Sequence, residues 1–152
     1  MNNTEILKKL SFEVNDLLSE YIQLHDKILK KGGIFISLFK KVDFEKILND
    51  CHEILRKFEI KRKGMLSFKK ENGDNLDDNE KKYLNQLISF FDKLLVTINF
   101  LLNKQQLLYK KSQKEKIGWE EYNNAENQYK KSIDDYLMEG RKLNNLNSLV
   151  FQ

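Results

Sequence analysis

Residues 7–28 read LKKLSFEVNDLLSEYIQLHDKI, and Leu7, Leu10, Val14, Leu17, Tyr21, Leu24 and Ile28 fall at alternating steps of three and four. That spacing returns an apolar side chain to one side of an α-helix at every turn. The seam holds over three heptads, and Leu18, Ile22 and Leu29 widen it. A two-stranded coiled coil needs only a narrow strip, so the broader face predicts a helix packed within a bundle. KKGG at 30–33 then closes the pattern. Lysines suit the negative end of a helix, and glycine suits a left-handed cap.

The rest of the chain supports long helices. It has no proline and only six glycines in 152 residues, where average usage would place roughly seven or eight prolines. Proline is the residue that helices exclude most strongly. The length fits one domain, spanning 1–152, with a core that needs no disulfide or metal. Cys51 is the only cysteine and has no partner within the chain. That fits a reducing cytoplasm. The first residues, MNNTEILKKL, lack a signal pattern. The most apolar segment, 87–102, carries Asp92 and Lys93 and is short for a membrane span. A cytoplasmic protein with no membrane partner is expected. Abundant Lys, Asn and Ile fit an AT-rich genome, such as that of a low-GC bacterium or a mobile element.

Three more amphipathic segments follow. The stretch IFISLFKK, 34–41, reads as a helical turn across the bundle end. Asp43 is placed to cap a second helix with the stripe Phe44, Ile47, Leu48, Cys51, Ile54, Leu55 and Phe58. Gly64 is its weak point, and ENGDNLDDN, 71–79, is the best loop. Asp77 with Glu80 resembles a capping box for a third helix, the most apolar of the set. KIGWEEY, 116–122, opens a fourth, with Gly118 as N-cap and Ile117 and Tyr122 spaced as a hydrophobic staple. The fold class expected is all-α: an antiparallel up-down four-helix bundle with helices over about 4–31, 43–70, 78–116 and 119–146. One alternative runs a single helix from 78 to about 146, roughly 100 Å long, giving three long helices that share a core as a homodimer.

No pattern for chemistry is found. A di-iron bundle site needs Glu-x-x-His on two helices. Ile22 precedes His25 by three and Asn49 precedes His52 by three, so both fail. Zinc, phosphate-loop and serine-elbow motifs are absent. Asp50, Cys51, His52 and Glu53 are adjacent, yet neighbours on a helix point about 100° apart and cannot converge. Cys51 falls on the apolar stripe, and His25 lies beside the helix-one seam. No catalytic residue, metal ligand or cofactor is assigned, and the expectation is a non-enzyme.

Two features carry the candidate site residues. KRKGMLSFKK, 61–70, and ENGDNLDDNE, 71–80, carry five opposite charges each and can neutralise one another. At the other bundle end, the topology gathers Lys30, Lys31, Lys40, Lys41, Lys110, Lys111, Lys114 and Lys116, with the aromatics Phe35, Phe39 and Trp119. Asp43, Glu115, Glu120 and Glu121 offset part of this charge, and the lysines suit phosphates or an acidic protein. The second feature is the line Tyr122, Tyr129 and Tyr136, seven residues apart, with Trp119 beside it. A step of seven turns back only about 20°, so the three share one face. That face is read as packed on the bundle, rings against helix three and hydroxyls at an edge. The other reading is a partner surface, for which tyrosine is favoured.

The function expected is a non-catalytic binding protein acting by protein–protein contact. Inhibitors, immunity proteins, anti-defence proteins of mobile elements and assembly factors are of this kind. Two alternatives are a nucleic-acid-associated protein using the lysine end and an enzyme whose site has no recognisable motif.

Overall fold

Side-chain caps start three of the four described helices in the computed structural model, which describes residues 1–31 and 42–152. Helix α1 spans Asn3–Lys31. Asn2 accepts from the Glu5 amide at 2.8 Å, and the Glu5 carboxylate accepts from the Asn2 amide at 2.9 Å. Helix α2, Phe44–Asn72, starts where Asp43 accepts from the Lys46 amide at 3.0 Å. A 3₁₀ turn, Gly73–Asn75, leads to α3, Asp78–Ser112. Asp77 and Glu80 form the reciprocal capping box expected of them, at 2.9 and 3.0 Å. The second Glu80 oxygen accepts from the Thr4 hydroxyl at 2.9 Å, so one carboxylate starts α3 and ties it to the first turn of α1.

Helix α4, Trp119–Val150, is capped by Gly118, as the sequence suggested. The unbroken helix from 78 to 146, and with it the three-helix dimer, is therefore corrected. α3 stops at Ser112 because Lys114 turns into the left-handed region, at φ 63°. The Glu115 amide then donates to the Lys110 carbonyl and the Lys114 amide to that of Lys111, both at 3.1 Å. This is a Schellman cap with lysine in the place glycine usually takes. α3 is thus four residues shorter than expected, and Lys114 and Lys116 lie in the turn. α4 runs four residues further than expected, to Val150, which packs on the core with Leu146 before it and Phe151 after the helix. Gly64 does not break α2, which continues to bury Met65. The cap at Gly32–Gly33 and the turn over 34–41 lie outside the described residues.

The bundle is all-α and antiparallel up-down. Lys27–Asp50, Lys57–Glu20 and Lys61–Glu13 pair α1 with α2 in opposite directions. Arg62–Asp92 and the stacked rings of Phe58 and Phe91, 4.9 Å apart, join α2 to α3. α3 packs on all three other helices, as its wide apolar face requires. Its closest partner is α4. At Gly140 a methyl group would lie 3.1 Å from the Phe90 ring, which shows how near the two helices come.

Candidate functional site

The tyrosine face of α4 turns inward. Tyr129 and Tyr136 are buried, Tyr122 is half-buried, and Trp119 stands 68% exposed at the start of the helix. Tyr129 and Tyr136 are therefore removed from any partner surface of the folded chain, because α1 and α3 cover them. The hydroxyl of Tyr129 does not reach an edge either. It meets the Tyr21 hydroxyl on α1 at 2.6 Å and is also hydrogen-bonded to Nδ1 of His25. Tyr136 packs edge-on against Tyr21 and against Phe90.

Around this chain the sequence supplies polar groups from α3 and α4. Lys104 places its ammonium 5.5 Å from the centre of the Tyr129 ring and 3.4 Å from Glu126. Gln105, also on α3, is buried, and its side-chain nitrogen has no hydrogen-bond partner among the described residues. Burial raises the pKa of Tyr21, Tyr129 and Tyr136 and keeps all three phenols protonated at neutral pH. Tyr122 is pushed up to about 12, by burial first and by the Glu126 charge second. Burial opposes the Glu126 carboxylate, but Lys104, Tyr122 and Lys130 outweigh it and hold its pKa below the usual range. The pKa of His25 is lowered by burial, against an upward pull from Asp26, with a smaller downward push from Lys104.

A phenol chain of this kind specifies how helices meet, because each buried polar group must find its partner. Sequence reading found the three tyrosines but missed Tyr21, His25, Lys104 and Gln105 as their company. One signal was present. Lys104 and Gln105 interrupt the apolar stripe of α3 about two turns before its end, and Tyr21 and His25 stand four apart on α1.

Other candidates separate. In the run Asp50–Glu53, Cys51 is buried, its thiol pushed up to about 12 by burial first and by Asp50 next. Asp50 pairs with Lys27 and His52 faces solvent, so these side chains diverge as helix geometry requires. An open groove between α1 and α2 holds Glu20, Asp50 and Glu53, but the first two are each paired with a lysine. No group of three metal-capable side chains occurs among the described residues. No described helix is long and apolar enough to cross a membrane.

The lysine end is assembled at the end of α1, the end of α3 and the α3–α4 turn. Lys30, Lys110, Lys111, Lys114 and Lys116 are exposed, and none forms an ion pair with a carboxylate among the described residues. Lys31 closes α1. Lys40 and Lys41, with Phe35 and Phe39, lie outside the described residues. Trp119 sits at the same end, its ring 6.4 Å from that of Tyr122. No family model, no curated protein and no solved structure matches this chain.

Proposed function

We propose that this chain is a non-catalytic binding protein that docks an acidic protein partner on the bundle end carrying Trp119. The observation that carries the reading is the exposure of Trp119 beside Tyr122, at a bundle end that also carries Lys30, Lys110, Lys111, Lys114 and Lys116 with no carboxylate partner among the described residues, against the acids Glu120 and Glu121 of the same turn. A large ring left in water at the start of a helix contributes nothing to the core. Tryptophan and tyrosine carry much of the energy at protein interfaces. Lysines around such an anchor raise the encounter rate with an acidic surface. An inhibitor, immunity or assembly role is compatible with such a surface.

The test is capture of the partner from the native host with the wild-type chain and with two variants, Trp119→Ala and the reversal of Lys110, Lys111, Lys114 and Lys116 to Glu. One acidic protein should be retained by the wild type and lost from both variants. The helical signal should be unchanged in both variants and the unfolding midpoint unchanged in Trp119→Ala, because that side chain is exposed; the reversal puts acids at the negative end of α3 and should lower the midpoint while the chain stays folded. Retention of that protein by Trp119→Ala would remove the ring from the reading.

The same free lysines favour a second reading, contact with nucleic-acid phosphates. Affinity would then fall steeply with salt. Absence of DNA or RNA binding at low salt eliminates it.

A further inference from the structure

We propose that His25 is a proton-operated latch across the seam between α1 and α4. Neutral His25 holds the two helices together through Tyr129, and its protonation releases them. This inference does not depend on the Trp119 docking end.

The seam is built unlike the others. α1 is fastened to α2 by three ion pairs, and α3 lies close against α4 along its length. The α1 and α4 backbones scarcely approach one another. Side chains bridge the gap: the Tyr21 and Tyr136 rings, 6.2 Å apart, the His25 and Tyr129 rings, 5.6 Å apart, and the hydroxyl chain.

The chain has a direction. A phenol has one proton to give, and neutral imidazole has one ring nitrogen that accepts. With Nδ1 accepting, Tyr129 donates to His25 and Tyr21 donates to Tyr129, so each proton has an acceptor. A proton on Nδ1 makes His25 the donor to Tyr129. Three protons then share two contacts, so one phenol proton, that of Tyr129 or that of Tyr21, is left with no acceptor among the described residues, on side chains that are 3% and 1% exposed. A stranded buried donor is costly. The nearby charges do not drive the effect: Asp26 on α1 favours the imidazolium, and Lys104 on α3, itself paired with Glu126 of α4, opposes it more weakly. Tyr129 and Tyr136 of α4, Tyr21 of α1 and Cys51 of α2 complete the titratable groups of the cluster and stay protonated in the neutral range.

Release bares an apolar lining. At 100° per residue, Leu18 and Ile22 stand within about 60° of His25 around α1, and Ile133 and Leu137 within about 80° of Tyr129 around α4. Ile22 and Leu137 are already partly exposed, and Leu18 and Ile133 are half-buried. The sign is that of a base whose folded pKa is lowered. The latch is fully closed above the unfolded value, about 6.5, and opens as pH falls through the lower folded one.

Amide hydrogen exchange of the whole chain between pH 8 and pH 4.5, read with the histidine ring resonances, tests this. After correction for the intrinsic effect of pH, seam amides of α1 should exchange about tenfold faster once His25 is protonated, the factor for one lost buried hydrogen bond. His25→Asn keeps an acceptor near Nδ1 and takes no proton, so it should abolish the step. His52→Asn, on the exposed side of α2, should retain it. Persistence of the step in His25→Asn overturns the latch, as does equal acceleration in α2 and α3, which would signify unfolding of the whole bundle. Should His25→Asn fail to fold, the wild type decides: the Tyr21 and Tyr129 ring resonances must move with His25, and fixed positions overturn the proposal.

Discussion

The hydroxyl of Tyr129 on α4 lies 2.6 Å from that of Tyr21 on α1, across 108 residues of chain. That contact turns a line of tyrosines from a surface into an interior. It explains why the positions hold tyrosine and not leucine: α1 and α4 stand too far apart for backbone contact, and a phenol reaches across and ends in a hydrogen bond.

Truncating that bridge has a graded cost. Tyr129→Ala should lower stability by about 3–5 kcal/mol, the range for a large buried aromatic. Tyr129→Phe keeps the ring and should cost about 1–3 kcal/mol, because the change leaves Tyr21 and His25 unpaired. Denaturant midpoints of the two variants measure both. A midpoint for Tyr129→Ala within about 0.5 kcal/mol of wild type would contradict the core position.

Two helical glycines should respond to alanine with opposite signs. At Gly64 a methyl group meets nothing within 4 Å, so Gly64→Ala should raise stability by about 0.5–1 kcal/mol through helix propensity alone. At Gly140 the methyl would press on Phe90, itself buried against Tyr136. Overpacking costs about 1–3 kcal/mol and should exceed the propensity gain, so Gly140→Ala should unfold at lower denaturant. Thermal or chemical unfolding of the pair reads the contrast directly.

Lys114 holds φ 63° to end α3. An L-residue in this region costs about 1–2 kcal/mol, which glycine avoids. Part of that gain is returned by the greater freedom of glycine in the unfolded chain. Lys114→Gly should therefore stabilise by about 0.5–1 kcal/mol, measured as a higher unfolding midpoint. No change, or a loss, would mean that the lysine cap carries less strain than its backbone angle implies.

Acid should weaken the α3–α4 contact. Glu139 accepts from Lys142, Gln86 and Ser89, and Lys142 leads in holding its pKa below the usual value of 4.5. A lowered carboxylate adds stability above its unfolded pKa and loses it as pH falls through the folded one. The slope of unfolding free energy below about pH 4.5 should flatten in Glu139→Gln, which cannot ionise. An unaltered slope would show that the carboxylate is not linked to folding.

Local and periodic features were legible because their physics is local. Asp43, Asp77 with Glu80, and Gly118 were readable as caps, since a cap is made by residues three or four apart. The seam from Leu7 to Ile28 identified α1, since its side is chosen by spacing alone. The end of α3 was not legible. The left-handed residue there is Lys114, and nothing in a lysine announces that backbone angle. The pairing of Tyr129 with Tyr21 and His25 was not legible either. The sequence determined that α4 carries one tyrosine face and that α1 carries His25 beside its seam. Only the tertiary structure decided that these two faces meet, that Tyr129 is enclosed and that Trp119 is left in water. Helical periodicity places a side chain on a side of its own helix, but which helix stands opposite, and how far away, depends on how the other three described helices pack around α3.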